Sequence, residues 1–155
     1  MSSFGVYLTL MIHYWTGIFE NNDIKITDWQ PERESAEYHA CDIKIDGKIA
    51  KFRVGKITPT KNGQFVTLWK RLESGTIAPF DSSDGIDFVI IAVQKDNLIG
   101  HFLFPKKVLV DKKIFTDKSE GKRAFRVYPP WDIAQNSQSK KSQEWQLRYF
   151  SSLKV

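Results

Sequence analysis

The chain has 155 residues, of which 41% are hydrophobic and 14% aromatic, and it carries a formal net charge of +5. This composition excludes intrinsic disorder as the default state, and the length favours one domain over residues 1–155 with its own hydrophobic core. A single cysteine, Cys41, excludes an internal disulfide and a cysteine-rich zinc site, and its apolar surroundings predict a buried thiol.

The first nineteen residues, 1–19, are apolar and predict an N-terminal helix packed on the core. Five apolar side chains recur in it at helical spacing: Leu8, Met11, Ile12, Trp15 and Ile18. The segment has no basic start, no small-residue cleavage site and no clean apolar run of membrane-spanning length. We therefore expect neither a signal peptide nor a membrane partner, and a cytoplasmic location.

The chain then passes through less regular structure before its first strand. Residues 20–31 are polar and rich in turn formers, which indicates a connection followed by a turn or a second helix start. Residues 32–37 predict a short acidic helix, and the apolar alternation over 38–45 predicts a strand. Asp46-Gly47 is a dipeptide typical of hairpin turns, so the chain should reverse there.

The remaining chain is predicted to contain further strands and two helices. The strands are expected at residues 49–57, 64–71, 86–93, 98–104 and 124–128, and the helices at 105–110 and 142–153. Residues 86–93 are almost all apolar, which is typical of a central strand buried on both faces. Because strand–helix–strand units cross over right-handed, strand 124–128 should lie parallel to 98–104. The predicted fold class is α/β (α+β), a mixed central sheet flanked by helices.

Residues 43–71 form the most informative stretch, two strands expected to pair through a loop containing Asn62-Gly63. The stretch holds eight Lys or Arg and one acid, a net of +7 in a chain whose total is +5. Strand side chains alternate, so Lys51 and Arg53 share one face, which we expect to be open. Aromatic residues among the cations favour a polyanion-binding face over a merely solvated one.

The candidate contacts to nucleic acid are cations and two tryptophans. They are Arg53, Lys56, Lys61, Trp69, Lys70, Arg71, Lys106, Lys107, Lys122, Arg123, Arg126 and Trp131. Arginine binds phosphate bidentately, so Arg53 and Arg126 are expected to be the strongest contacts. Lys106 and Lys107 stand at a helix start, where backbone N–H groups favour phosphate. The alternatives are that Arg126 pairs with an acid inside the fold and that the tryptophans only pack.

Several strings of the sequence together resemble the MepB family of small bacterial proteins, whose founding member is encoded beside a multidrug efflux pump. The matching strings are residues 36–38, 53–61, 63–70, Asp87 with its strand, 100–107, 121–131 and 143–146. The resemblance spans roughly residues 20–150. It implies a fold like that of the PD-(D/E)XK nucleases, a restriction-endonuclease-like topology, and nucleic-acid binding as the activity.

Nucleases of that fold place an acid on one strand and an acid-x-Lys triplet on the next, and the acids hold Mg²⁺. Asp87 stands where the first acid is expected, but the following strand offers His101 and no such triplet. Asp42 together with Glu37 is an alternative cluster, and it is also incomplete. The catalytic candidates are therefore these three acids and His101, and none of them completes a site.

We expect a nuclease-like scaffold that binds DNA or RNA through a basic hairpin without cutting it, with no resident metal or cofactor. One alternative is a Mg²⁺-dependent nuclease with a degenerate acidic site. Another is a small ligand- or protein-binding module linked to multidrug resistance.

Overall fold

A computed structural model describes residues 3–155 and shows an α+β fold with a mixed central sheet. The strands are β1 (Ile26–Pro31), β2 (Cys41–Ile45), β3 (Lys48–Val54), β4 (Lys56–Ile57), β5 (Gln64–Thr67), β6 (Trp69–Arg71), β7 (Ile77–Pro79), β8 (Phe88–Lys95), β9 (Leu98–Pro105), β10 (Ala124–Val127) and β11 (Phe150–Ser152). The helices are α1 (Ser3–Glu20), α2 (Lys106–Asp111) and α3 (Ser137–Gln146), with 3₁₀ turns at Ala36–Tyr38 and Leu147–Tyr149.

The central sheet has six strands in the order β1-β2-β3-β8-β9-β11. Its strands pair antiparallel except for β3 and β8, which run parallel with Ala50 opposite Phe88 and Val54 opposite Ala92. The prediction of a central strand is confirmed, because residues 89–93 of β8 are fully buried. Successive side chains of β8 enter two different cores, since strand side chains alternate between faces.

One core lies between the sheet and α1, where Met11, Trp15, Ile18 and Phe19 are buried. This confirms the predicted helix packed on the core for the described part of 1–19; residues 1 and 2 lie outside the described residues. Cys41 is buried in the same core, and burial raises the pKa of its thiol to about 12. No helix within residues 3–155 combines the length and apolar character needed to cross a membrane.

The other core joins the opposite face of the sheet to α2, α3 and a second, three-stranded sheet of order β10-β5-β4. The predicted strand 49–57 is interrupted at Gly55, whose N–H still donates to Ala92 O at 2.9 Å. A Cβ at this position would come 2.7 Å from Oε1 of Gln64, so the chain needs a glycine where it leaves the central sheet. The antiparallel hairpin expected across Asn62-Gly63 therefore involves only β4 and β5.

The predicted parallel pairing of strand 124–128 with 98–104 is wrong. β10 instead pairs antiparallel with β5, and the free edge of β9 is taken by β11. Phe150 of β11 packs on Phe102 at 5.1 Å between ring centroids, and Leu153 is buried against the sheet. These two side chains also explain why the predicted helix 142–153 gives way to a strand, since burial against the sheet outweighs helical continuation.

The segment before β2 also differs from prediction. Residues expected to form a connection and a turn instead form β1, an edge strand paired with β2. The acidic helix expected at 32–37 is reduced to the 3₁₀ turn Ala36–Tyr38, flanked by Ser35 and His39 in the left-handed region. The backbone N–H of Glu32 donates to Ala40 O, which holds this residue beside the sheet and keeps it out of a helix.

Candidate functional site

The cations of residues 43–71 are largely neutralised by carboxylates from outside that stretch. Six of the eight form ion pairs: Lys44–Asp28 at 3.6 Å, Lys51–Asp42 at 2.5 Å, Lys56–Glu37 at 3.3 Å, Lys70–Asp84 at 2.9 Å, Arg71–Glu34 at 2.6 Å, and Arg53–Glu32. The exceptions within residues 3–155 are Lys48 and Lys61. The +7 counted along the sequence is therefore not an open basic face in three dimensions.

Arg53 is fully buried, so the expectation that it lies on an open face is wrong. It does share a face with Lys51, but its side chain is enclosed there by contacts with Glu32, which follows β1, and with Thr67 at the end of β5. The guanidinium binds both carboxylate oxygens of Glu32, and its Nε donates to Thr67 O at 2.9 Å. A side chain with no exposed surface cannot reach an external phosphate, so Arg53 belongs to the core.

A separate cleft of about 430 Å³ lies between the β4–β5 loop, β10 and α3. Four cations line it: Lys61, Lys112, Lys122 and Arg126. Among the described residues no carboxylate lines this cleft, and none forms an ion pair with these four cations. A second hollow of about 220 Å³ shares Lys61 and the loop beside it and extends the cleft towards Lys95 and Asp132. The cleft is thus a concave, positively charged surface.

Arg126 is held in place by uncharged partners. Pairing of β10 with β5 sets Arg126 opposite Phe65, and the guanidinium carbon lies 5.5 Å from that ring's centroid. Its Nη2 donates to Thr58 Oγ1 at 2.7 Å and its Nη1 to Asn62 O at 3.2 Å. No acid among residues 3–155 pairs with it, so the alternative of an internal ion pair is wrong. The charge of Arg126 is oriented and remains available to an anion.

Trp145 and Lys112 both line the cleft and contact each other. Lys112 Nζ lies 5.5 Å from the centroid of the Trp145 ring, and the ring packs on Phe104 at 5.3 Å. The remaining lining is rich in amides and hydroxyls, which include Asn62, Gln135, Gln138, Ser139 and Ser142. Neither Trp145 nor Lys112 is among the contacts predicted from the sequence. Only the packing of α3 beside the segment that follows α2 brings the two together.

The other predicted contacts lie away from this cleft. Lys106 and Lys107 are exposed at the start of α2, where the N–H of Lys106 already donates to Asp87 O at 2.9 Å. Trp69 packs against Arg71, with the guanidinium carbon 5.4 Å from its ring centroid. Two further predicted contacts have protein partners: Arg123 pairs with Glu120, and Trp131 packs on Phe150. Of the predicted set, the cleft brings together Lys61, Lys122 and Arg126.

The catalytic candidates do not meet in one place. Glu37 pairs with Lys56 and Asp42 with Lys51, while Asp87 Oδ2 accepts the backbone N–H of Ile49 at 3.0 Å. No group of three or more His, Cys, Asp or Glu side chains suited to a metal occurs within residues 3–155. These acids therefore do not fit the Mg²⁺ site of a nuclease.

His101 lies in the core beneath α1, with its ring edge-on to Phe19 at 5.6 Å between centroids. Burial lowers the pKa of this histidine to about 4, so the ring is neutral at physiological pH. A neutral, buried imidazole next to an apolar helix is a packing residue, so His101 does not fit the catalytic role for which it was a candidate.

Comparison with known proteins identifies the family. The family model described as MepB-like matches residues 32–152. A crystal structure of MepB superposes with a TM-score of 0.80 at 32% sequence identity, covering 93% of this chain and 95% of the other. No curated protein matches the chain. The chain belongs to the MepB-like family.

Proposed function

We propose that this protein binds nucleic acid, DNA or RNA, by holding its phosphates in the cleft lined by Lys61, Lys112, Lys122 and Arg126. The observation that carries the proposal is a concave surface lined by four cations and by no carboxylate of residues 3–155. Such a surface concentrates positive potential and attracts polyanions. The proposed interface is therefore this cleft, to which the stretch 43–71 contributes only the loop residues Thr60, Lys61 and Asn62.

The cleft suits a chain of phosphates better than a small apolar ligand. Its walls are predominantly polar, and the second hollow continues it past Thr60, Lys61 and Asn62, so a nucleic-acid backbone has a track to follow. Arg126 is oriented by two hydrogen bonds before any ligand arrives, and a guanidinium can bind phosphate with two parallel N–H donors. A small-ligand module would instead show an enclosed, mainly apolar pocket.

The proposal includes a nuclease-like scaffold that binds without hydrolysis. The scaffold rests on the family resemblance and on a mixed sheet in which β3 and β8 run parallel. The absence of hydrolysis is supported by the separate partners of Glu37, Asp42 and Asp87, each of which is engaged by a lysine or a backbone N–H. Hydrolysis would need acids that share one metal ion.

The test is binding of labelled single- and double-stranded DNA and RNA by charge-reversal variants. Lys61→Glu and Lys122→Glu should each weaken binding about tenfold or more, because each places a negative charge in the cleft. Lys48→Glu is the matched control, since Lys48 is also exposed and without an ion pair in the described chain but lies outside the cleft. Equal weakening by Lys48→Glu, or no binding by the unaltered protein, would contradict the proposal.

The same mixtures, incubated with Mg²⁺ or Mn²⁺, test the absence of hydrolysis. We expect plasmid DNA, single-stranded DNA and RNA to remain intact. Cleavage that disappears in Asp87→Ala or in Glu37→Ala would assign those acids to a metal site and overturn this part of the proposal.

A further inference from the structure

The outer face of α1 presents a weakly polar stripe to solvent, called here the α1 stripe. Its members are Ser3, Val6, Leu10, His13, Gly17 and Glu20, all of them exposed. Leu10 at its middle is 62% exposed, and α1 contains no lysine or arginine although 26% of the chain is charged. A helix that carries apolar side chains on its outer face as well as its inner face is typical of a helix covered on both sides. The core covers only the inner one.

The spacing of the α1 stripe is that of a seam between two helices. Its members follow each other at alternating intervals of three and four residues, the pattern that keeps one side of a helix facing a second helix. The stripe is also fixed in its outward direction. The Tyr7 hydroxyl bonds to His39 Nε2 at 3.1 Å, and the Tyr14 hydroxyl donates to Gln94 Oε1 at 3.0 Å, so α1 is tied to the sheet. A second molecule must therefore supply the cover.

We infer that the α1 stripe is the contact surface of a homodimer, in which α1 packs antiparallel on α1 of a second copy. The two-fold axis passes between Leu10 and His13, so that each of them packs against the other residue of the second copy. In the adjoining layers Val6 packs against Gly17. Nothing lies within 4 Å of a Cβ built at Gly17, which leaves room for the valine side chain.

Charge favours this partner and this direction. Glu20 is the last residue of α1, and antiparallel packing sets its carboxylate beside the first turn of the other helix, where backbone N–H groups carry partial positive charge. Parallel packing would instead bring two Glu20 carboxylates together and leave a gap between two copies of Gly17. A helix that lies on a membrane carries Lys or Arg on its polar face, and α1 has neither.

The size of the contact predicts a weak, reversible dimer. α1 has 18 residues, so the contact is about 27 Å long and about one helix diameter, 10 Å, in width. This is smaller than the standard interface of about 800 Å² per partner. The α1 stripe and the cleft lie on opposite sides of the central sheet, because α1 packs on one core and β10 and α3 pack on the other. Dimer formation therefore leaves the cleft of each copy open.

Sedimentation velocity of the full chain between about 10 µM and about 1 mM tests the inference, since a contact of this size should associate in that range. We expect a monomer at the lower end and a dimer at the upper end. Raising the salt from about 0.1 M to 0.5 M should change the dissociation constant less than about threefold, because the seam contains little charge. A monomer at every concentration, or species larger than a dimer, overturns the inference.

Leu10→Lys places a charge at the centre of the seam and should weaken the dimer about tenfold or more. Leu72→Lys is the matched control, because Leu72 is also an exposed leucine, 43% exposed, but follows β6 and is not part of the α1 stripe. Both side chains are exposed, so both variants should fold. Equal weakening by the two substitutions, or none by Leu10→Lys, overturns the assignment of the contact to this stripe.

Two further variants test the antiparallel arrangement. Gly17→Leu should stabilise the monomer, because leucine favours a helix more than glycine does and the space is free, yet it should weaken the dimer by filling the room for Val6. Glu20→Gln should also weaken the dimer, since it removes the charge beside the other helix's first turn. A dimer strengthened by Glu20→Gln would indicate parallel helices, and one unaffected by Gly17→Leu would exclude the Val6–Gly17 layer. Either result overturns the arrangement.

Vesicles of phosphatidylcholine test the other occupant that an apolar helix face could take, a lipid surface. We expect the protein to remain in solution when the vesicles are sedimented. Binding to these vesicles that is lost in Leu10→Lys and retained in Leu72→Lys would assign the α1 stripe to lipid and overturn the dimer.

Discussion

Arg53 and Glu32 join the edge strand β1 to β3 by a buried ion pair. Removing the guanidinium leaves the Glu32 carboxylate, whose side chain is only 10% exposed, with Lys51 Nζ at 3.5 Å as its ion-pair partner. Arg53→Ala should therefore lower the free energy of unfolding by about 3 kcal/mol, the lower end of the cost of breaking a buried ion pair. Urea denaturation of the variant beside the unaltered protein measures this change.

The control for this prediction is Lys56→Ala. Lys56 and Glu37 form a pair at 3.3 Å with side chains 54% and 74% exposed, so its loss should cost less than about 1 kcal/mol. Similar stability of the two variants would contradict the buried role of Arg53.

His101 gives the stability of the protein a specific pH dependence. Its pKa is about 4 in the folded protein, against 6.5 for the free side chain, because burial disfavours the charged ring. Between these two values the unfolded chain binds a proton that the folded chain does not bind. The contribution is therefore complete above pH 6.5 and is lost as the pH falls towards 4, by up to about 3 kcal/mol.

The variant His101→Gln isolates this contribution, because glutamine does not titrate. Thermal or urea unfolding at several pH values should show a flatter profile for the variant between pH 6.5 and 4. Parallel profiles for the two proteins would mean that His101 titrates normally when folded.

At the scale of elements, the β4–β5 loop depends on one glycine. Gly63 has φ +79, and a Cβ there would lie 2.7 Å from the Tyr128 ring and 2.8 Å from Val127 O. Gly63→Ala should thus lower the stability for two reasons. Alanine is strained in the left-handed conformation, and its Cβ would clash with Val127 in β10 and with Tyr128. The first effect costs about 1–2 kcal/mol, and the clash should add to it.

Gly47→Ala separates these two effects. Gly47 has φ +78 in the β2–β3 turn, and nothing lies within 4 Å of a Cβ built there. The difference between the melting temperatures of the two variants measures the clash alone. We also expect only Gly63→Ala to weaken nucleic-acid binding, since Asn62 and Lys61 beside it line the cleft.

At the scale of the whole molecule, charge is divided between internal pairs and the cleft. If only the four cations of the cleft bind phosphate, log K against log salt should have a slope of about −3, from about 0.7–0.9 per contact. Lys122→Ala should reduce the slope by about one contact, whereas Arg71→Ala, which breaks a pair with Glu34, should not change it. A slope of about −6 or steeper would show that cations outside the cleft also bind phosphate.

The sequence alone could predict the features that depend on residues close together in the chain. Apolar spacing located α1, the continuous apolar run located β8, and turn residues located the β2–β3 and β4–β5 reversals. The partners of charged residues are not local: Glu32 and Arg53 are 21 positions apart, and Lys112 and Trp145 meet only through the packing of α3. Counting charges along 43–71 therefore found cations correctly but could not show that six of the eight are paired.

The parallel pairing of β3 with β8 has a consequence for the order of folding. β8 and β9 form a hairpin with local contacts, whereas pairing β3 with β8 must first close the intervening chain of residues 55–87 into a loop. Closing this loop costs conformational entropy before the β3–β8 contacts can stabilise the chain. We therefore expect β8 and β9 to be paired in the folding transition state and β3 to dock later.

Phe104 in β9 and Phe52 in β3 are both fully buried phenylalanines, so they form a matched pair for this expectation. In stopped-flow measurements Phe104→Leu should mainly slow refolding, whereas Phe52→Leu should mainly accelerate unfolding. The reverse result would place the transition-state nucleus at the β2–β3 hairpin. The residues that line the cleft, all of which follow β3 in the chain, would then assemble after that hairpin.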